Sequence, residues 1–71
     1  MEILMKILQE LYPDLPLTPD TELTELLDSF DIVTLTAEID GELGVAIPVE
    51  ELVPENFRSA RALLRLVDRL R

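Results

Sequence analysis

Apolar residues recur at helical spacing along the first dozen positions. Ile3, Leu4, Ile7, Leu8 and Leu11 make one continuous stripe, so residues 2–12 read as a first helix. Glu2, Lys6 and Glu10 stand four apart on the other side and can pair weakly. Pro13 ends the helix. Residues 13–28 carry Pro13, Pro16 and Pro19 with no strand-like alternation. Their Leu15, Leu17, Leu23, Leu26 and Leu27 predict a loop packed on the core, with Thr21 or Asp20 opening a short turn. A second helix starts at Asp28 or Ser29, both good N-caps, and runs to Leu43, with Gly44 placed to end it in the left-handed conformation. Residues 45–53 read as a loop around Pro48. Pro54 suits the first position of a short third helix over 54–58. Ser59 caps a last helix over 60–70, with Leu63, Leu64, Val67 and Leu70 as its apolar face and the Arg61, Arg65, Arg69 row exposed to water. The pattern predicts an all-α fold: one small four-helix bundle, three helices long and the third short, spanning residues 1–71 as a single domain.

The second helix has two faces that both need explaining. At about 100° per residue, Ile32, Leu35, Ile39 and Leu43 cluster as the core face. The opposite side carries Phe30, Val33, Thr34, Ala37 and Gly41, which is oddly apolar for a surface. Asp31, Glu38 and Glu42 flank it on one edge and Asp40 on the other. An apolar patch rimmed by charge has the design of a protein-docking face. The competing reading has the short third helix and its loop covering Phe30 or Val33. Gly41 costs about 1 kcal/mol of helix stability against Ala and permits close approach.

Composition narrows the chemistry. The 71 residues include 48% hydrophobic ones, enough for one small core. There is no Cys and no His, which removes disulfides, thiolate metal sites, cysteine nucleophiles and imidazole triads. With 6 basic and 15 acidic residues the net charge is −9, so nucleic acid and anionic membranes are poor partners. The charge is segregated: between residues 7 and 57 there is no base at all, while Arg58, Arg61, Arg65, Arg69 and Arg71 crowd the last stretch. A calcium loop turning at Gly41 would need charged ligands at Thr36 and Ile47, where there are none. No Gly-rich phosphate loop precedes a helix. No apolar run approaches the roughly 20 residues of a membrane span, and Met1 is not followed by a secretory leader, so a cytoplasmic, monomeric module that is not an enzyme is expected.

One residue remains for chemistry. Ser29 lies beside Asp28, after the long irregular segment, and opens the helix that bears the docking face. Read alone, Asp28-Ser29 is an N-cap. Read with its neighbourhood, Ser29 is a site of modification, because a phosphodiester at a helix N-terminus meets unpaired N–H groups and the positive end of the dipole.

The segment Leu26-Leu27-Asp28-Ser29-Phe30 resembles the phosphopantetheine-attachment motif of acyl and peptidyl carrier proteins, usually Gly-x-Asp-Ser-Leu. Ile32, Val33, Leu35 and Glu38 continue it. Leu43-Gly44-Val45-Ala46-Ile47-Pro48, Pro54-Glu55-Asn56-Phe57 and Ser59 resemble the rest of that family's chain. Leu26 or Glu25 stands where the family commonly has glycine, and Phe30 where fatty-acid carriers have leucine. The pattern Leu26-Leu27-Asp28-Ser29-Phe30 with the later Pro54-Glu55-Asn56-Phe57 looks more like small stand-alone carriers of the D-alanyl and aminoacyl type. The resemblance implies a 4'-phosphopantetheine arm on Ser29, with Asp28 part of the attachment motif. It implies attachment by a phosphopantetheinyl transferase, loading by an adenylating ligase, and removal of the cargo by an acyltransferase or condensing enzyme. Phe30, Asp31, Val33, Thr34, Ala37 and Glu38 would be the surface those enzymes read. Two other readings stay open: an acyl carrier of fatty-acid or polyketide synthesis, and an unmodified acidic adaptor for a basic protein.

Overall fold

The computed structural model describes residues 2–71. It has three α-helices, α1 (Glu2–Leu11), α2 (Ser29–Leu43) and α3 (Ala60–Leu70), with 3-10 turns at Leu23–Glu25, Val49–Glu51 and Pro54–Phe57. The expected short third helix is thus present as the 3-10 turn Pro54–Phe57. Its first bond is the i→i−3 type, from the Asn56 N–H to the Val53 carbonyl at 3.1 Å, and Pro54 has no N–H to offer. The turn Val49–Glu51, within the segment read as loop, was not anticipated; Asn56 steadies it by donating to the Glu51 carbonyl at 2.8 Å.

Leu4, Ile7 and Leu8 of α1, Leu35 and Ile39 of α2, and Leu63, Leu66 and Val67 of α3 meet in one core, closed by Phe57, Ala60, Leu23, Leu27 and Val45. Three expectations are corrected here. Ile3 is exposed, because it lies at the rim of a depression where α2 and α3 end, lined by Leu4, Leu43, Leu64 and Arg71. Leu66, left out of the expected stripe, is buried, while Leu64 and Leu70 are only half-buried. Leu63, Leu66, Val67 and Leu70 form the i, i+3, i+4, i+7 set, and that set is the one the neighbours cover. Leu26 is exposed, although Leu23 and Leu27 on either side of it are buried.

The connection before α2 is held by Arg58 and by the first turn of α3. The Leu23 N–H donates to the Arg58 carbonyl at 2.7 Å and the Arg61 N–H to the Pro19 carbonyl at 3.0 Å. Arg61 grips Asp20 through both oxygens at 2.7 and 3.2 Å, and Arg58 reaches Glu22 at 3.4 Å. The short turn expected at Asp20 or Thr21 is made by Thr18 and Thr21, whose backbone and hydroxyls bond one another. The 3-10 turn that follows starts later, at Leu23. The arginine row of α3 is exposed as expected, yet Arg61 and Arg69 reach across to Asp20 and Glu51. Charges segregated along the chain are thereby paired in space. Among the described residues no helix is long and apolar enough to cross a membrane.

Two glycines of α2 make opposite predictions. A Cβ on Gly41 meets nothing within 4 Å and the backbone there is ordinary helix, so Gly41→Ala raises stability by about 0.5–1 kcal/mol. Gly44 ends the helix at φ 68, where its N–H bonds the Asp40 carbonyl, so Gly44→Ala costs about 1 kcal/mol or more. The urea midpoints of the two variants, compared with the parent, read both. The ion pairs set a pH dependence. The hydrogen bond from Arg61 holds the Asp20 carboxyl below its ordinary range, and Thr24, then Arg58, do the same for Glu22. A carboxyl depressed on folding adds stability above its unfolded pKa and loses it as pH falls through the folded one. Asp20→Asn therefore makes the loss of stability below pH about 4 shallower, as acid titration followed by circular dichroism would record.

Candidate functional site

The start of α2 is a capping box built without the serine. Asp28 has extended backbone (φ −96, ψ −176) and its side chain accepts from the Asp31 N–H at 2.9 Å. The Asp31 carboxylate returns the favour, accepting from the Asp28 N–H at 3.1 Å. Of the two N-caps that the sequence allows, Asp28 is the one used. Ser29 is the first helical residue, exposed, with no duty in the cap. Capping explains the aspartate and leaves the serine unexplained.

The approach to this turn needs no glycine. Leu26 sits at φ −102, ψ −28, in the right-handed region open to any residue, and no non-glycine residue among those described has positive φ. Buried Leu27 anchors the chain one residue before the cap. Leu26 then adds an exposed apolar side chain three residues ahead of Ser29.

The face of α2 opposite the core is open. Phe30 is 78% exposed and Val33 59%, so the third turn and its loop do not cover them. Ala37, Gly41 and Glu38 are exposed as well, and Asp31 is half-buried. Thr34 is half-buried, its hydroxyl donating to the Phe30 carbonyl at 3.1 Å. The structure therefore brings Ser29, Phe30, Val33, Ala37 and Glu38 onto one accessible side, with Asp31 and Thr34 at its margin.

Sequence reasoning missed the other half of the site. A cleft of about 330 Å³ opens beside Ser29, walled by Leu27, Ile32 and Val33 on one side and by Leu52, Val53, Pro54 and Phe57 on the other. Val53 is extended (φ −114, ψ 149), as a residue before proline prefers, and this swings Leu52 and Val53 towards α2. Val53-Pro54 was the only local signal. Its position opposite Ser29 is a matter of tertiary packing.

Tyr12, just past the end of α1, has its hydroxyl buried without a hydrogen-bond partner. Burial pushes its pKa up to about 12, with the negative charges of Asp31 and Asp28 adding to the effect.

A family model for the phosphopantetheine attachment site matches residues 1–67. Among curated proteins the chain is 28% identical over 68 residues to aminoacyl carrier protein 2 of Bradyrhizobium diazoefficiens, covering 94% of this chain and 76% of that one. It is 39% identical over 51 residues to aminoacyl carrier protein 1 of the same organism, covering 70% of this chain and 57% of the relative. Among solved structures it is similar to a chain in the crystal structure of Bradyrhizobium japonicum glycine:[carrier protein] ligase complexed with glycylated carrier protein. There the TM-score is 0.81 at 31% identity, over 93% of this chain and 95% of that one. A second likeness, TM-score 0.79 at 38% identity, is to a chain in a crystal structure described as an FAD-dependent dehydrogenase. The overlap of 90% of this chain and 96% of that one makes the matched chain nearly this chain's own length. The family match runs through every helix and stops only inside the last turn of α3, and the chain belongs to the phosphopantetheine attachment site family.

Proposed function

We propose that Ser29 carries a 4'-phosphopantetheine arm and that the chain, as a single carrier domain over residues 1–71, shuttles an aminoacyl group. The observation that carries this is the exposed serine at the first position of α2, spared from a cap that Asp28 and Asp31 complete between them. The fit to the arm rests on the same geometry. A phosphodiester on Ser29 lies where free helical N–H groups point, and the apolar cleft of about 330 Å³ lies alongside. The arm supplies a terminal thiol that holds the cargo as a thioester. Everything else is asked of the chain's own residues, and it is binding and presentation rather than catalysis. Asp28 fixes the turn, Ser29 offers its hydroxyl, and Phe30, Val33, Thr34 and Ala37 form an apolar footing for partners. Asp31 and Glu38 supply negative charge that steers basic partner surfaces and quickens encounter while leaving the complex weak. A shuttle needs that combination, because it must leave each enzyme after one transfer.

The likeness to aminoacyl carriers, and to a carrier chain held by a glycine ligase, supports an amino acid as cargo and an adenylating ligase as the loading partner. A phosphopantetheinyl transferase precedes the ligase and a transferase or condensing enzyme follows it, with the carrier a monomer in the cytoplasm throughout. The apolar cleft beside Ser29 favours a second reading, in which the cargo is an acyl chain of fatty-acid or polyketide synthesis that lies between α2 and the turn Pro54–Phe57.

Incubation with coenzyme A and a broad-specificity phosphopantetheinyl transferase should add one phosphopantetheine to the intact mass, mapped to Ser29. Ser29→Ala should abolish the gain while changing stability by less than about 0.5 kcal/mol, since the exposed hydroxyl has no part in the cap. No gain on a folded, unmodified sample would instead favour the acidic adaptor. Offering the loaded arm's ligases either glycine or a fatty acid separates the two cargo readings. Phe30→Ala, at a residue 78% exposed, should leave the melting temperature near the parent's and lower kcat/KM of loading about tenfold. The same kcat/KM should fall as salt is raised, because the acidic rim acts over a Debye length of about 10 Å at 0.1 M.

A further inference from the structure

The wall of the cleft opposite Ser29 is a stretch of chain with no α-helix, yet it is tied at nearly every residue. The N–H groups of Glu51, Leu52, Val53 and Asn56 donate to the carbonyls of Pro48, Val49, Glu51 and Val53 at 2.9 to 3.1 Å, and Pro54 has none to place. Asn56 closes the stretch on itself. Its side-chain amide donates to the Glu51 carbonyl at 2.8 Å and to the Glu51 carboxylate at 3.1 Å, in a half-buried setting. The same carboxylate accepts from Arg69 of α3 at 3.4 and 3.5 Å. Leu52, Val53 and Pro54 lie between the two ends of this clamp and form the cleft wall, and buried Phe57, next to Asn56, lines the cleft as well. The facing wall, Ile32 and Val33, belongs to α2. A wall bonded in this way moves outward only by giving up half-buried hydrogen bonds, which costs more than breaking exposed ones. Neither the docking face nor the capping box uses Asn56, Glu51 or Arg69.

The cleft so enclosed holds about 330 Å³, near the lower end of the roughly 300–1,000 Å³ of ligand pockets. At about 30 Å³ for each non-hydrogen atom, the share water takes in its liquid, that is room for roughly ten atoms. A thioester folded back on its arm takes part of it, which leaves space for a cargo of about six carbons. Resting on the reading of Ser29 as the attachment serine, we propose that Asn56, together with Glu51 and Arg69, is a positioning residue that pins the cleft wall and so limits what the cleft shelters to short aminoacyl or acyl groups. The lining is apolar apart from Thr24, Asp28 and Ser29, so a short aliphatic group is the chemistry it takes. A longer chain outruns the cleft while the clamp holds. Its further carbons stay in water and add nothing to the protection of the thioester. The clamp, more than the apolar character of the cleft, then decides the cargo class, and it decides against a long fatty-acyl chain.

Two measurements test this. In the unmodified protein, amide hydrogen exchange reads the clamp directly. Asn56→Ala should speed exchange of the Leu52 and Val53 N–H groups roughly tenfold, with Leu35 and Ile39 in the core of α2 at the parent's rate. Asn56→Asp, which keeps the shape and loses the donor, should do the same. Arg69→Gln, at an exposed position, removes the charged tie to Glu51 without touching the core and should move the same amides in the same direction. Exchange at Leu52 and Val53 that ignores these variants, or that rises equally at Leu35 and Ile39, overturns the clamp. The second measurement loads the protein from acyl-coenzyme A thioesters of about two to about twelve carbons with a broad-specificity phosphopantetheinyl transferase, and follows cleavage of the thioester by hydroxylamine. In the parent, cleavage should slow roughly tenfold between about two and about six carbons and then level off. In Asn56→Ala it should go on slowing to the longest chain, a change that a merely weakened fold does not produce. Protection that rises steadily to the longest chain in the parent, no protection at any length, or the same plateau in Asn56→Ala overturns the size limit. If the parent takes no arm at all, it is the Ser29 reading that falls, and the exchange rates still decide the clamp.

Discussion

The long connection between α1 and α2 has to be held still, and two buried leucines do most of that work. Leu23 and Leu27 are sealed into the core, each contributing about 1.5–3 kcal/mol of hydrophobic stabilisation. The backbone bonds to Arg58 and from Arg61 add about 1 kcal/mol each, while the exposed ion pairs of Asp20 and Glu22 are screened by water and add little. Apolar burial therefore outweighs the polar clamps, while the clamps settle direction and register. Because Leu27 is pinned, Asp28 can only begin a helix where it does, and Ser29 points outward. Every property of the site follows from that anchor.

The helix that starts there leaves apolar side chains in water at a cost in stability. A phenylalanine and a valine left in water forgo burial energy of a few kcal/mol, in a chain whose whole margin is about 5–15 kcal/mol or less. Gly41 weakens the same helix further. The core side of α2 compensates with Leu35 and Ile39, both fully buried, and the capping box secures its first turn. Acidic side chains, Asp31, Glu38, Asp40 and Glu42 among them, surround the open face and give it a negative potential. Weak, fast, charge-steered contact is the physical character of a module that passes from enzyme to enzyme.

Much of this was legible in the sequence, for reasons that are local. The spans of the three α-helices, the Ser59 cap, the Gly44 stop and the Pro54 turn follow from i, i+4 spacing and from backbone chemistry within a few residues. The exposed Phe30 and Val33 could be suspected because α2 has more apolar residues than one buried face can use. Periodicity was less able to say which leucine of a pair faces inward. Leu66 is buried and Leu64 is not, and Ile3 is exposed although it shares a stripe with Ile7. Those outcomes depend on where neighbouring helices end and how they are rotated.

The sequence by itself determined the helices, their ends, the lack of thiol and imidazole side chains, and the Asp28-Ser29 pair that opens α2, because each is a matter of residue type and short-range spacing. Only the tertiary structure decided which capping residue would act, and so freed Ser29 from the cap. It alone placed Leu52, Val53 and Pro54 across a cleft from Ser29, paired the distant charges of Asp20 and Arg61, and buried the Tyr12 hydroxyl. These are meetings of residues far apart along the chain. They are fixed by how three helices share one core, and no local pattern encodes that rotation and register.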